Sequence, residues 1–296
     1  MTAAEHFAIA PNWEWWITAY FFFGGIAGGS YAIGTLIRLF GPPRDQGAAR
    51  IAFIVSFLAL LPCPLFLIAD LGQPLRFTNM LLDEGNGGLI FKYASPMSVG
   101  AWALLGFGLF SFVSFLAALG GRGLRALDPF ARMARGTIGA AWSVIGTGLG
   151  FFIAGYTGVL LAASNQPVWS DAGWVLGGLF LASGLTGSAA LLVAIARSSR
   201  GTDAGTSVRL EAADRNFVLL EAVLIVLFLV SVAVAGSIGK VLGVWLALWL
   251  VVLLGLLAPL AMRSNMAQRW RPVAASVLAL LGVFALRALV IFAAQA

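Results

Sequence analysis

The feature that most constrains this chain is a series of eight apolar stretches, separated by short connections that carry most of the arginines. They run roughly over Trp15 to Leu39, Ile51 to Ala69, Ser95 to Leu119, Thr137 to Ala163, Ala172 to Ala196, Arg215 to Ala235, Gly243 to Met262 and Pro272 to Ala294. A bilayer core asks for about 17–25 apolar residues of helix, which each stretch supplies. Inside lipid the backbone must satisfy its own hydrogen bonds, so only helices and closed barrels can span. The alternating segments of a barrel are missing, and the pattern predicts an all-α integral membrane protein with eight transmembrane helices. With 60% of residues hydrophobic and only 10% charged, no stretch is left for a soluble domain.

A net charge of +6 would suggest a nucleic-acid partner in a soluble protein. Here the basic residues lie between apolar stretches and report topology instead, so no nucleic acid is expected. Arg38, Arg44, Arg50, Arg122, Arg125, Arg132, Arg135, Arg197, Arg200, Arg209, Arg215, Arg263, Arg269 and Arg271 fall on one side. The other side carries Arg76, Lys92 and Lys240, with Arg287 inside the last stretch. The positive-inside rule makes the arginine side cytoplasmic, so both termini and the loop from Asp70 to Lys92 are expected in the periplasm of a bacterial inner membrane. The opening "MTAAEHFAIAPNWEW" has no basic region and no small-residue cleavage site, and is not expected to be a cleaved signal peptide.

An internal echo links "GIAGGSYAIGTLIR" (Gly25 to Arg38) with "GLTGSAALLVAIAR" (Gly184 to Arg197) without a gap. The first and fifth spans run the same way, which suggests two four-helix bundles related in parallel. Small residues and a terminal arginine are also common in membrane helices that are unrelated. The expected organisation is residues 1–196 for the first five spans, 197–214 for a cytoplasmic linker and 215–296 for the last three. Gly139, Gly146, Gly148, Gly150 and Gly155 mark the fourth span as a closely packed interior helix. "DEGNGG", Asp83 to Gly88, reads as a flexible acidic turn.

One cysteine, Cys63, and one histidine, His6, rule out a disulfide, an iron–sulfur cluster or a bis-histidine haem held by this chain alone. Any electrons handled here have to enter and leave without crossing the bilayer on the chain's own cofactors. The titratable groups inside the spans are Asp70, Glu221 and Arg287, with Tyr20 and Tyr156 as polar aromatics. An acid near a helix centre costs about 2.5–3.5 kcal/mol on insertion scales, which makes such residues functional candidates. The structural alternative for Asp70 is an ion pair with Arg76 or Arg287. For Glu221, less than two turns into the sixth span, it is an acid hydrated near the cytoplasmic interface. Helix direction puts Tyr20, Asp70 and Tyr156 at similar depth on the outer side, where a lipophilic ligand with polar oxygens would meet an acid and two phenols. Trp13, Trp15, Trp16, Trp169 and Trp174 mark the same interface.

Four stretches carry a resemblance: "YFFFGGIAGGSY" in the first span, "DLGQPLRFTNML" after the second, "SPMSVGAW" opening the third and "GYTGVLLAASNQPVW" closing the fourth. In order and spacing they resemble the NrfD-like family, the membrane subunits of polysulfide reductase-type complexes. The second half is similar only in hydropathy and helix count. The resemblance implies a subunit that exchanges electrons between the quinone pool, menaquinone or ubiquinone, and a ferredoxin-like iron–sulfur subunit, which wires a molybdopterin catalytic subunit. It implies a quinone ring within the first four helices. Carried over by position, Tyr156 hydrogen-bonds a quinone oxygen and Asp70 is a proton acceptor or pocket organiser. Tyr20 stands at the first-span polar position, where some relatives have His, with Thr18 as an alternative. Asn165 caps the pocket or its loop, and Arg76 pairs with Asp70 or with the partner subunit.

With no haem ligands in the chain, quinone chemistry has to take place within tunnelling reach of a cluster held by another protein on the same face. The charge count puts that face in the periplasm. Glu221, with Arg287, is a candidate element of a proton path inward, where each charge moved couples to about 2.3 kcal/mol per 100 mV. Two other classes stay open. A proton or small-molecule transporter would break corresponding helices in both halves, whereas Pro62 and Pro64 interrupt the second span and the sixth has no proline. A passive anchor would have the same helices and bind no quinone.

Overall fold

A computed structural model describes residues 12–82, 87–121, 123–198, 204–261 and 270–295. His6, residues 83–86 of the acidic turn, Arg122, Arg200, Met262, Arg263 and Arg269 lie outside the described residues. The helices are α1 (Trp15–Phe40), α2 (Gln46–Leu60), α3 (Pro62–Asp70), α4 (Pro96–Gly120), α5 (Asp128–Met133), α6 (Gly136–Ala162), α7 (Gly173–Ser198), α8 (Ala204–Val234), α9 (Ile238–Leu242), α10 (Leu246–Ala261) and α11 (Trp270–Ala293). Short 3-10 turns cover Pro43–Asp45, Pro74–Met80 and Arg125–Leu127.

The all-helical expectation holds, but the count of eight spans is not reproduced. Among the described residues seven helical stretches have the length and hydropathy to cross a membrane, α2 and α3 together making one of them. Of the expected span from Gly243 to Met262, the structure describes α10 over Leu246–Ala261, which runs to the edge of the described residues. Residues 243–245 form the turn that precedes it, and the Trp249 indole N–H ties α10 back to the Val241 carbonyl at 3.0 Å.

Local chemistry explains the other ends. Pro62 and Pro64 remove two backbone donors, dividing the second span into α2 and α3 at Leu61. Ser95 caps α4 by accepting from the Ser98 N–H, with Pro96 in the first turn. α8 begins at Ala204, taking in residues 204–214 of the expected linker. Paired charges make that polar stretch helical: Arg209 grips Asp45 at 2.5 and 2.7 Å, and Arg197 grips Glu211 at 2.5 and 2.8 Å.

The two-bundle arrangement is not confirmed: α1 lies against α2, α3 and α6 and also against α7 and α11. The echoing glycines are the reason. A Cβ on Gly25 would stand 3.3 Å from Gly184 Cα, and Ser188 Oγ donates to the Ile26 carbonyl at 2.9 Å. α1 and α7 therefore run parallel and close, backbone against backbone. On its other side α1 meets α6 where Gly28 faces Gly150. The outer surface carries exposed Leu58, Leu65, Leu109, Ile138, Val226 and Leu253, as a lipid-facing surface requires.

Candidate functional site

The start of α1, the end of α3, the start of α4 and the end of α6 meet at one end of the bundle, here called the tryptophan end. They enclose a cavity of about 540 Å³ lined by Tyr20, Asp70 and Tyr156. Its long walls are apolar: Leu60, Leu61 and Pro64 on one side, Leu104, Leu105 and Phe112 on the other. Leu61, Leu105, Leu109 and Phe112 are also exposed, so the mouth opens between α2 and α4 onto the surface that meets lipid chains. The proline break lies in that wall. An apolar trough ending in a few polar groups is the usual form of a site for a lipophilic ligand with a polar head.

Tyr156 sits where α4 has no side chain. A Cβ on Gly100 would stand 2.7 Å from Tyr156 Cε1 and 2.9 Å from its hydroxyl, so the glycine leaves room for the phenol. Its hydroxyl donates to the Pro96 carbonyl, and its ring stacks on Phe152 with centroids 5.3 Å apart. Tyr20 is buried next to Tyr156 and Cys63. Asp70 is half-buried at the last turn of α3, facing the backbone N–H of Glu14. Trp13, which also lines the cavity, stacks on Trp169 at 5.2 Å and is held to Gln295 by hydrogen bonds of 2.9 and 3.1 Å. The two described ends of the chain thus close one side of the site.

Of the residues expected at the site, Tyr20, Asp70 and Tyr156 come together and three others do not. Thr18 does not line the cavity, and its hydroxyl is buried with no hydrogen-bond partner among the described residues. Two residues of helix turn it about 200° from Tyr20. Asn165 is exposed in the turn after α6 at φ 53°. Arg76 is exposed in the turn Pro74–Met80 and makes no ion pair with Asp70 among the described residues.

Arg287 does not pair with Asp70 either. It is fully buried where α11 meets α1 and α7, donating to the carbonyls of Phe21 and Phe180, both at 3.1 Å, and to Ser183 Oγ at 2.8 Å. Glu221 is also buried, and α8 begins 17 residues before it. It faces Ser183, Thr186, Asp214 and Arg287. These two residues form a second polar cluster, separated from the cavity by α1.

Sequence reasoning missed Gly100, Met80, Met97 and the apolar walls. Gly100 had a signal, since it lies within "SPMSVGAW". The walls had none, because a leucine facing a ligand and one facing lipid look the same in sequence.

The family model for polysulphide reductase, NrfD, matches residues 4–296. The chain belongs to the NrfD polysulphide reductase family. Membership extends to the second half, where the sequence alone offered only hydropathy and helix count. With its apolar helices it makes the chain a multi-pass membrane protein. Among curated proteins it is similar to a selenate reductase subunit of Mesobacillus selenatarsenatis, 28% identical over 93 residues. That match covers 31% of this chain and 20% of the relative. Among the described residues no group of three or more His, Cys, Asp or Glu is placed to hold a metal ion.

Proposed function

We propose that this chain is the quinone-reactive membrane subunit of a molybdopterin oxidoreductase, exchanging electrons between menaquinone or ubiquinone and an iron–sulfur partner. The observation that carries this reading is the convergence of Tyr20, Asp70 and Tyr156 at the closed end of a lipid-facing cavity. The cavity fits the ligand class: its apolar walls suit an isoprenoid tail, and its volume of about 540 Å³ leaves space for a ring beside Tyr156. A bound quinone supplies two-electron, two-proton redox chemistry. The chain's own residues bind and orient the ring, exclude water along the apolar walls, and hold a proton at the Asp70 carboxylate.

Tyr156 already donates to Pro96, so with that bond kept its oxygen is an acceptor towards a ligand. An ionised Asp70 is also an acceptor only. Two acceptors can take the hydroxyls of a quinol, and the Tyr20 hydroxyl can donate to a quinone carbonyl, so the lining serves either direction. The iron–sulfur and molybdopterin subunits would sit over the tryptophan end, in the periplasm, with both termini on that side of the inner membrane. The match to a selenate reductase subunit supports such an assembly.

Binding of a fluorescent quinol-site inhibitor to the purified chain tests this reading. Tyr156→Phe and Asp70→Asn should each weaken binding about tenfold while the fold persists, since each removes one hydrogen bond to the ligand. Unchanged affinity in both variants would move the site elsewhere.

Glu221 and Arg287 are proposed as part of a proton path from the arginine end. Their burial beside Ser183 and Thr186 gives a titratable group inside the helices with hydroxyls next to it. Glu221→Gln should reduce proton release in vesicles more than it reduces electron transfer. Equal turnover and equal proton release would remove Glu221 from any path.

A further inference from the structure

The opposite, arginine end of the bundle holds a second cavity of about 380 Å³, between α1, α2, α4 and α6. Arg38, Arg50 and Arg135 line it, and no carboxylate does. None of the three is in an ion pair among the described residues, although Asp45 and Glu211 at the same end are each taken by another arginine. Below the guanidiniums the lining turns apolar, with Phe53, Val113, Ala117, Ala140 and Trp142.

The arginines are held in place by neutral partners. Arg38 Nη1 donates to Ser143 Oγ at 2.9 Å, and Arg50 Nη1 donates to the Gly121 carbonyl at 2.7 Å. Each bond uses one of five N–H donors, so both guanidiniums keep donors for a ligand. Glycines admit them: a Cβ on Gly121 would stand 2.8 Å from Arg50 Nε, and one on Gly139 would collide with Arg38. The first turn of α6 adds to the site. Its N-cap is Arg135, with no side-chain hydrogen bond to the first N–H groups, and Gly136 and Ala140 line the cavity. Uncapped N–H groups at the positive end of a long helix favour an anion.

We infer that this cavity is a binding site for the phosphate of an anionic phospholipid. Three guanidiniums and a helix start recognise the phosphate, and planar forks suit its oxygens. The apolar lower half accommodates the glycerol and the first acyl carbons. A free phosphate would leave that half bare, which is why the lipid is favoured over the ion. A basic pocket between membrane helices at the cytoplasmic level is the expected form of such a site.

Native mass spectrometry of the full chain in dodecyl maltoside, titrated with phosphatidylglycerol, tests the inference. Wild type should retain one phosphatidylglycerol per chain in preference to phosphatidylcholine. Arg38→Gln/Arg50→Gln/Arg135→Gln should weaken retention at least tenfold, whereas the control Arg132→Gln/Arg215→Gln, outside the cavity, should not. If the triple variant does not fold, Arg135→Gln alone, at an exposed helix start, should weaken retention about threefold. Equal retention in variant and wild type, or no preference over phosphatidylcholine, would overturn the site. Displacement of the lipid by millimolar inorganic phosphate would assign the cavity to a free anion and overturn the lipid.

Discussion

At the tryptophan end, the helices of the first half enclose apolar walls that finish in a carboxylate and two phenols. At the arginine end, the same helices enclose three guanidiniums above an apolar floor. The packing that shapes the two cavities is common to both, so packing does not explain the contrast. In each cavity a glycine on α4 or at its end admits one side chain from a neighbouring helix, Gly100 for Tyr156 and Gly121 for Arg50. The lesson is that small residues set where a ligand can sit, and the side chain they admit sets which ligand it is.

The comparison assumes a common rigid frame, and its largest test is Arg287. This side chain binds α11 to backbone carbonyls of α1 and α7. Arg287→Leu leaves those carbonyls and Ser183 Oγ without their donor, at a cost of about 3 kcal/mol or more. Thermal unfolding in detergent should show that loss, with inhibitor and lipid binding falling together. Loss at the tryptophan end alone would make Arg287 part of that site and break the comparison.

The two glycines sharpen it. Gly100→Val pushes into the Tyr156 ring, an overpacking of about 1–3 kcal/mol, and should weaken inhibitor binding up to about 100-fold with lipid retention unchanged. Gly121→Leu should displace Arg50 and weaken lipid retention about tenfold, the value of one charged hydrogen bond, with inhibitor binding unchanged. Crossed effects in paired titrations would show the cavities to be coupled.

The smallest effect is expected where the arginine end is merely clamped. Asp45 is buried but Arg209 is partly exposed, so Asp45→Asn should cost about 1 kcal/mol and leave both ligands bound. A change in lipid retention would mean that the clamp shapes the cavity.

Much of this was legible in the chain. Tyr20, Asp70 and Tyr156 could be brought together because helix direction and distance from a helix end fix depth. The position of Thr18 could not be read that way, because depth says nothing about which face of α1 a residue occupies. Arg76 and Asn165 belong to turns, whose side-chain directions follow from local dihedrals that hydropathy does not report. The extra turns of α8 were hidden because hydropathy registers Arg209 and Glu211 as polar without their partners. The stretches around Gly25 and Gly184 match in sequence, but a match between two helices does not say that they touch, which only the packing shows.

The most direct test of the quinone site is photolabelling. An azido-quinone illuminated with the reconstituted chain should label α3, α4 between Met97 and Phe112, or α6 near Tyr156, and excess unlabelled quinone should suppress the label. Saturable labelling confined to α7–α11 would contradict the account and move the quinone to the other half of the molecule.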